Sequence, residues 1–225
     1  MIESSDLLAL WTTLKLAMVS TVVLLSISVP LAWWLATSKL KFKSFVEVFV
    51  ALPLVLPPTV LGFYLLLLMR PDSVIGSTFY SLTGEQLVFS FSGLIIGSVI
   101  YSLPFVVQPI QNAFVAIGRE PLESAATLGA NRFDTFFTVA LPLAKPGVFT
   151  AAVLGFAHTV GEFGVVLMIG GNIPGETRVA SIAIYDHVES LNYTQAHSLA
   201  GLLLLISFVL LMIVYSGNRK VRMWR

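Results

Sequence analysis

Four stretches of this chain, Leu16 to Ser38, Val48 to Met69, Gln86 to Gly118 and Ser198 to Asn218, contain no Asp, Glu, Lys or Arg. As helices, stretches of this length cross roughly 30 Å of hydrocarbon. A fifth apolar stretch is less uniform, because it holds His158 and Glu162, groups that are costly in a bilayer unless paired or facing a cavity. The pattern predicts an all-α integral membrane protein whose single domain, 1–225, has five transmembrane helices near 9–37, 45–69, 87–113, 144–169 and 197–217. Polar residues gather in the connection 118–142, which is expected to carry a short helix of its own.

Prolines interrupt the apolar runs at Pro30, Pro53, Pro57, Pro58, Pro104 and Pro109. Such residues are tolerated in membrane helices where neighbours satisfy the freed backbone groups, and they commonly leave a bend. The run Leu52-Pro53-Leu54-Val55-Leu56-Pro57-Pro58 is denser in proline than packing requires, so a broken or bent helix beside a pathway is expected there.

Composition excludes a water-soluble domain, with 56% hydrophobic residues, 11% charged and a mean hydropathy of +0.89. The net charge of +1 carries no message about nucleic acid, and the lack of cysteine removes disulfides and thiolate chemistry. The acidic start Glu3 to Asp6 is unlike a basic signal sequence, and the first apolar run is expected to be retained as a span. Of the 13 Lys and Arg residues, three lie on one side of the predicted spans: Lys15, Arg70 and Arg178. The others, Lys39, Lys41, Lys43, Arg119, Arg132, Lys145, Arg219, Lys220, Arg222 and Arg225, lie on the opposite side, which the positive-inside rule makes cytoplasmic. The amino terminus is then outside and the carboxyl terminus inside, with the basic tail 218–225 against anionic lipid headgroups.

The segment from Gly118 to Asp134 reads as two short helices meeting at a corner. Pro121 suits a first helical turn, and Glu120 and Glu123 favour its positive end. Gly129 can adopt the left-handed conformation that stops the first helix, and Asn131 can cap the second, with Asp134 three residues on. Small side chains at Ser124, Ala125 and Ala126 let another protein approach closely. The segment is a compact docking knob.

Glu123, Ala125, Ala126 and Gly129, followed a dozen residues later by Leu141-Pro142, resemble the Glu-Ala-Ala loop of ABC-importer permeases, with Ser124 replacing one small residue of the usual triplet. Four further stretches, "LPLVLPPTVLGFYLL" at 52–66, "LGANRFDTFFTVALPLAKPG" at 128–147, "GEFG" at 161–164 and "GGNIPGETR" at 170–178, extend the likeness over most of the chain. Together they are similar to molybdate ABC transporter permeases, whose tungstate-carrying relatives are not separable on this pattern and whose sulfate and thiosulfate counterparts share much of it. The resemblance implies a MetI-like permease fold, two copies of the chain enclosing a central passage, two cytoplasmic ABC ATPases and a periplasmic or extracellular molybdate-binding protein. It further implies that Glu123 to Gly129, with Leu141 and Pro142, couples to the ATPase. ATP and magnesium belong to that partner, and this chain, which has no phosphate-binding loop, carries no cofactor of its own.

Several residues carry competing readings. His158 and Glu162 stand one helical turn apart and can pair, either as a structural couple or as part of a gate in which Gly161 and Gly164 permit movement and Phe163 plugs the path. A bare carboxylate in the path would repel a dianion, so Glu162 is expected off the axis or neutralised. Pro57 and Pro58 are candidates for the same pathway. The stretch 171–178 is either a simple turn or a surface for the binding protein, with Arg70 and Arg178 as contacts. His187 and His197 are expected to be solvated or interfacial rather than metal ligands. A stand-alone secondary transporter would need more carboxylates within the spans, and a membrane enzyme would need a catalytic constellation that the chain lacks.

Overall fold

The computed structural model describes residues 3–222, with side chains described as far as Met212; the tail side chains of 218–225, expected against lipid, lie outside the described residues. Among these residues the secondary structure is helical throughout. α1 (Ser4–Thr37), α5 (Phe91–Ile117) and α8 (Leu141–Val160) pack on one another as a central trio. Leu24, Ala32 and Leu35 from α1, Val106, Val107, Ile110 and Phe114 from α5, and Ala144 and Ala151 from α8 are buried together there. Close approach is built in by small residues, as expected where helices gain little from hydrophobicity in lipid. A methyl at Gly147 would come 2.3 Å from Ala113 Cβ, and one at Gly155 would come 2.6 Å from Val106 Cγ2.

The second apolar stretch is not one straight span. α2 (Lys43–Ala51) continues through a 3-10 turn to Leu54, and α3 (Pro58–Met69) leaves at 111°. Sequence explains the corner: Pro57 is extended, with ψ 136°, as a residue before proline must be, and Pro58 restarts a helix whose first turn needs no N–H from it. Among the described residues four helices are long and apolar enough to cross a membrane, or five if the bent pair is one span.

The stretch expected as a fourth span, 144–169, is corrected in register. The continuous run is Arg132–Val160, made of α7 (Arg132–Thr135), a π-type turn over Phe136–Ala140 and α8. It stops at Val160; residues 161–163 are non-helical, and α9 (Gly164–Gly170) starts afresh and packs on α3. The reason is the turn of Glu162 towards serines on α5, described below, which cannot be seen in the local apolar pattern.

Short helices also occupy stretches expected as loops. α4 (Val74–Thr83) is capped by Ser73, whose hydroxyl accepts from Gly76 N, and is ended by Gly84 at φ 75°. α6 (Glu120–Thr127), the short helix expected within 118–142, precedes α7, while α10 (Ala180–Glu189), in a stretch expected as a loop, packs on α11 (Tyr193–Arg222) and on the start of α1. His187 is half-buried, with its ring 2.8 Å from the carboxyl of the buried Asp6 of α1.

Candidate functional site

Two sets of residues stand out, one at a corner between helices and one at mid-bundle. At the corner, α6 begins with Glu120 and Pro121 in its first turn, and Gly129 takes φ 86° beyond its end. Asn131 Oδ1 accepts from the N–H groups of Phe133 and Asp134 at 2.9 and 3.0 Å, capping α7. Ala125 is buried and holds α6 to the bundle, whereas Glu123, Ser124, Ala126 and Gly129 are exposed. Leu128 and Phe133 are 89% and 78% exposed, which leaves an apolar tip on an otherwise polar knob. Leu141 and Pro142 begin α8 after the π-type turn, half-buried, so the corner and α8 form one mechanical unit.

At mid-bundle, Glu162 is 3% exposed and fully engaged. Ser98 Oγ donates to its Oε2 at 2.5 Å and Ser102 Oγ to its Oε1 at 2.6 Å, both from α5. Ser181 Oγ of α10 donates to its main-chain carbonyl at 2.5 Å. His158 Nδ1 lies 2.8 Å from Ser102 Oγ and 3.5 Å from Glu162 Oε1, and Thr159 Oγ1 lies 3.2 Å from Ser102 Oγ. A carboxylate buried this deeply is stable only with such a set of donors around it. The two serines sit one turn apart on one face of α5, so that helix carries both partners to the same carboxylate.

Beside this cluster opens a cleft of about 550 Å³. Pro58 and Thr59 line one wall, Gly161 to Gly164 with Leu167 and Met168 the other, and Tyr101, Ala157 and His158 complete it. The structure therefore brings Pro58 together with Gly161, Glu162, Phe163 and Gly164, while Pro57 makes the corner next to them. The walls nearly touch: a methyl at Gly164 would lie 3.0 Å from Pro58 Cβ. Phe163 packs on Tyr185 of α10, with ring centroids 5.2 Å apart.

Arg70 and Arg178 are held in separate ion pairs. Arg70 is bidentate to Asp72, and this guanidinium holds the Asp72 carboxyl below its usual range. Arg178 Nε donates to Asn172 Oδ1 at 2.6 Å and pairs with Asp186 at 3.2 Å, which ties the turn 171–178 to α10. Sequence reasoning missed Thr59, Ser98, Tyr101, Ser102, Thr159 and Ser181. The available signal was a pair of serines, four residues apart, in an otherwise apolar span.

A family model described as the binding-protein-dependent transport system inner membrane component matches residues 28–222. The molybdenum transport system permease protein ModB of Azotobacter vinelandii is 58% identical over 97% of this chain and 96% of its own. The sulfate transport system permease protein CysT of Synechocystis is 34% identical over 82% of this chain, which spans 64% of that protein. An inward-facing structure of the MetNI methionine ABC transporter has the same fold, with a TM-score of 0.72 at 20% identity over 95% of this chain and 93% of its own. With that family model spanning most of its length, this multi-pass membrane chain belongs to the inner membrane components of binding-protein-dependent transport systems.

Proposed function

We propose that this chain is the permease subunit of a molybdate importer, working as a pair of copies with two cytoplasmic ABC ATPases and an extracytoplasmic molybdate-binding protein. The observation that carries the cargo is the 58% identity to a molybdenum permease over nearly the full length of both chains. Sulfate is the second reading; the 34% identity to a longer sulfate permease supports it less. The amino terminus lies outside and the α6 corner in the cytoplasm, a placement supported by the Lys and Arg distribution.

In this scheme ATP and magnesium act on the ATPase pair, and α6 with its exposed Glu123, Ser124, Ala126 and Gly129 is the surface on which that pair pushes. The exposed Leu128 and Phe133 supply apolar area for the contact. The push passes through the helical run from α7 to α8 and reaches the break at Gly161 to Gly164, where the passage opens and closes against Pro57 and Pro58. ATP shifts this equilibrium through its differential affinity for the closed ATPase pair. Glu162 stays out of the anion's way because its two oxygens are already taken by serines. The turn 171–178, pinned to α10 through Arg178, and the exposed Arg70 face the binding protein.

The deciding experiment is uptake of molybdate by the reconstituted complex with its ATPase and binding protein, in competition with tungstate and sulfate. Molybdate uptake that excess sulfate does not suppress is the expected result. Efficient sulfate uptake suppressed weakly by molybdate would overturn the cargo assignment.

A further inference from the structure

Three side chains that line the mid-bundle cleft carry a polar group with no protein partner among the described residues: Thr59 and Tyr101 in their hydroxyls and His158 in Nε2. The hydrogen-bond pattern next door decides what the histidine can offer. Ser102 has one hydroxyl hydrogen and gives it to Glu162 Oε1, 2.6 Å away. Nδ1 of His158, 2.8 Å from the same hydroxyl oxygen, must then carry a hydrogen of its own, because a bare Nδ1 would set lone pair against lone pair. With Nδ1 protonated, Nε2 has two states. It is a bare acceptor, which repels an anion, or a donor on a cationic ring, which attracts one. Phe105 stacks on the imidazole at 3.8 Å and Tyr101 packs at 4.9 Å, so two aromatic rings clamp a side chain that lines the cleft.

We propose that His158, donating from Nε2 as the imidazolium and assisted by the Tyr101 and Thr59 hydroxyls, is the contact for a tetrahedral oxyanion in the passage, so that anion and proton bind there together. The inference rests on the transport reading above. An oxyanion has only acceptors to present, and all three groups can donate to it. Glu162 and Tyr101 are the titratable groups that face the ring; the cleft walls from α3 and α9 carry Pro58, Thr59, Gly164, Leu167 and Met168 and no charge. Because the donor state needs a proton, one proton is taken up with each anion, and anion affinity falls as pH rises, by up to about tenfold per pH unit.

The test uses the full complex with its ATPase and binding protein in proteoliposomes, and reads the apparent KM for molybdate between about pH 5.5 and about pH 8.5. Wild type, His158→Gln, His158→Arg and Tyr101→Phe are compared in the same assay. For wild type the KM rises with pH. His158→Gln removes that rise and raises the KM about tenfold at the acid end, the size of one lost charge-assisted hydrogen bond. His158→Arg, cationic throughout, holds a low KM that does not respond to pH. Tyr101→Phe raises the KM and keeps the pH response. A glutamine variant with the wild-type profile overturns the proposal. Should that variant fail to assemble with the ATPase, the arginine variant decides alone, and a pH response equal to wild type overturns the contact. No molybdate uptake by the wild-type complex would remove the transport reading and this contact with it, whereas uptake indifferent to position 158 removes the contact only.

Discussion

His187 Nε2 lies 2.8 Å from Asp6 Oδ1, which joins the last turn of α10 to the first turn of α1. Asp6 is 2% exposed, and besides this ring its carboxyl accepts the main-chain N–H of Glu3 at 3.3 Å in the first turn of α1. Asp6→Ala is expected to cost about 1–3 kcal/mol, because it leaves the His187 ring and the Glu3 N–H without their shared acceptor. Thermal melting in detergent reads the loss. Asp6→Asn, which keeps an acceptor oxygen, is expected to lose less, and equal loss in both variants would mean that the pair contributes nothing specific.

Glu162 depends on its serines in the same way. Ser98→Ala or Ser102→Ala leaves one oxygen of a buried carboxylate without its donor, which costs about 1–3 kcal/mol. The double substitution is expected to impair folding more than Glu162→Gln, in which the serine hydroxyls can turn to accept from the amide. Melting temperatures and surface expression of the three variants rank them.

At the proposed gate, sensitivity is expected at Gly164 rather than Gly161. A methyl at Gly161 meets nothing nearer than 3.6 Å, whereas one at Gly164 meets Pro58 at 3.0 Å. Gly164→Val is expected to reduce uptake about tenfold by forcing α3 and α9 apart, with Gly161→Ala near wild type. Comparable loss in both would shift attention from packing to backbone freedom.

The α6 corner offers a test of local conformation. Gly129→Ala places a side chain at φ 86° and Asn131→Ala removes the cap of α7, each costing about 1 kcal/mol. Both are expected to weaken retention of the ATPase on the purified permease while leaving the bundle folded. Circular dichroism and co-purification separate the two effects, and full retention in the double variant would count against the coupling role.

The two arginine pairs should behave differently. Arg178→Gln frees the turn 171–178 from α10 and is expected to weaken docking of the binding protein. Arg70→Gln lets the exposed Asp72 carboxyl return to its ordinary range and is expected to leave melting unchanged at neutral pH. Docking measured by co-sedimentation distinguishes them.

Local features of this fold were readable in advance. Pro121, Gly129 and Asn131 act on their own neighbours within a few residues, so the α6–α7 corner followed from their chemistry alone. The corner at Pro57 and Pro58 was legible for the same reason. The break at residues 161–163 was not, because it answers to Ser98 and Ser102 on another helix, some 60 residues away. Helix α10 was not legible because the contacts that fix it, Asp186 with Arg178 and His187 with Asp6, join it to residues outside the helix. Apolar runs report which segments prefer lipid; they do not report where a span stops once a buried carboxylate has chosen partners elsewhere.

Glu162 is gripped from two directions, its carboxylate by α5 and its carbonyl by Ser181 on α10. Hydrogen bonds weaken steeply outside a narrow range of distance and angle, so α10 cannot drift gradually away from α5 while both grips hold. The joint behaves as a rivet rather than a spring. A change of spacing between α5 and α10 at this level therefore requires exchange of one hydrogen bond for another rather than gradual stretching.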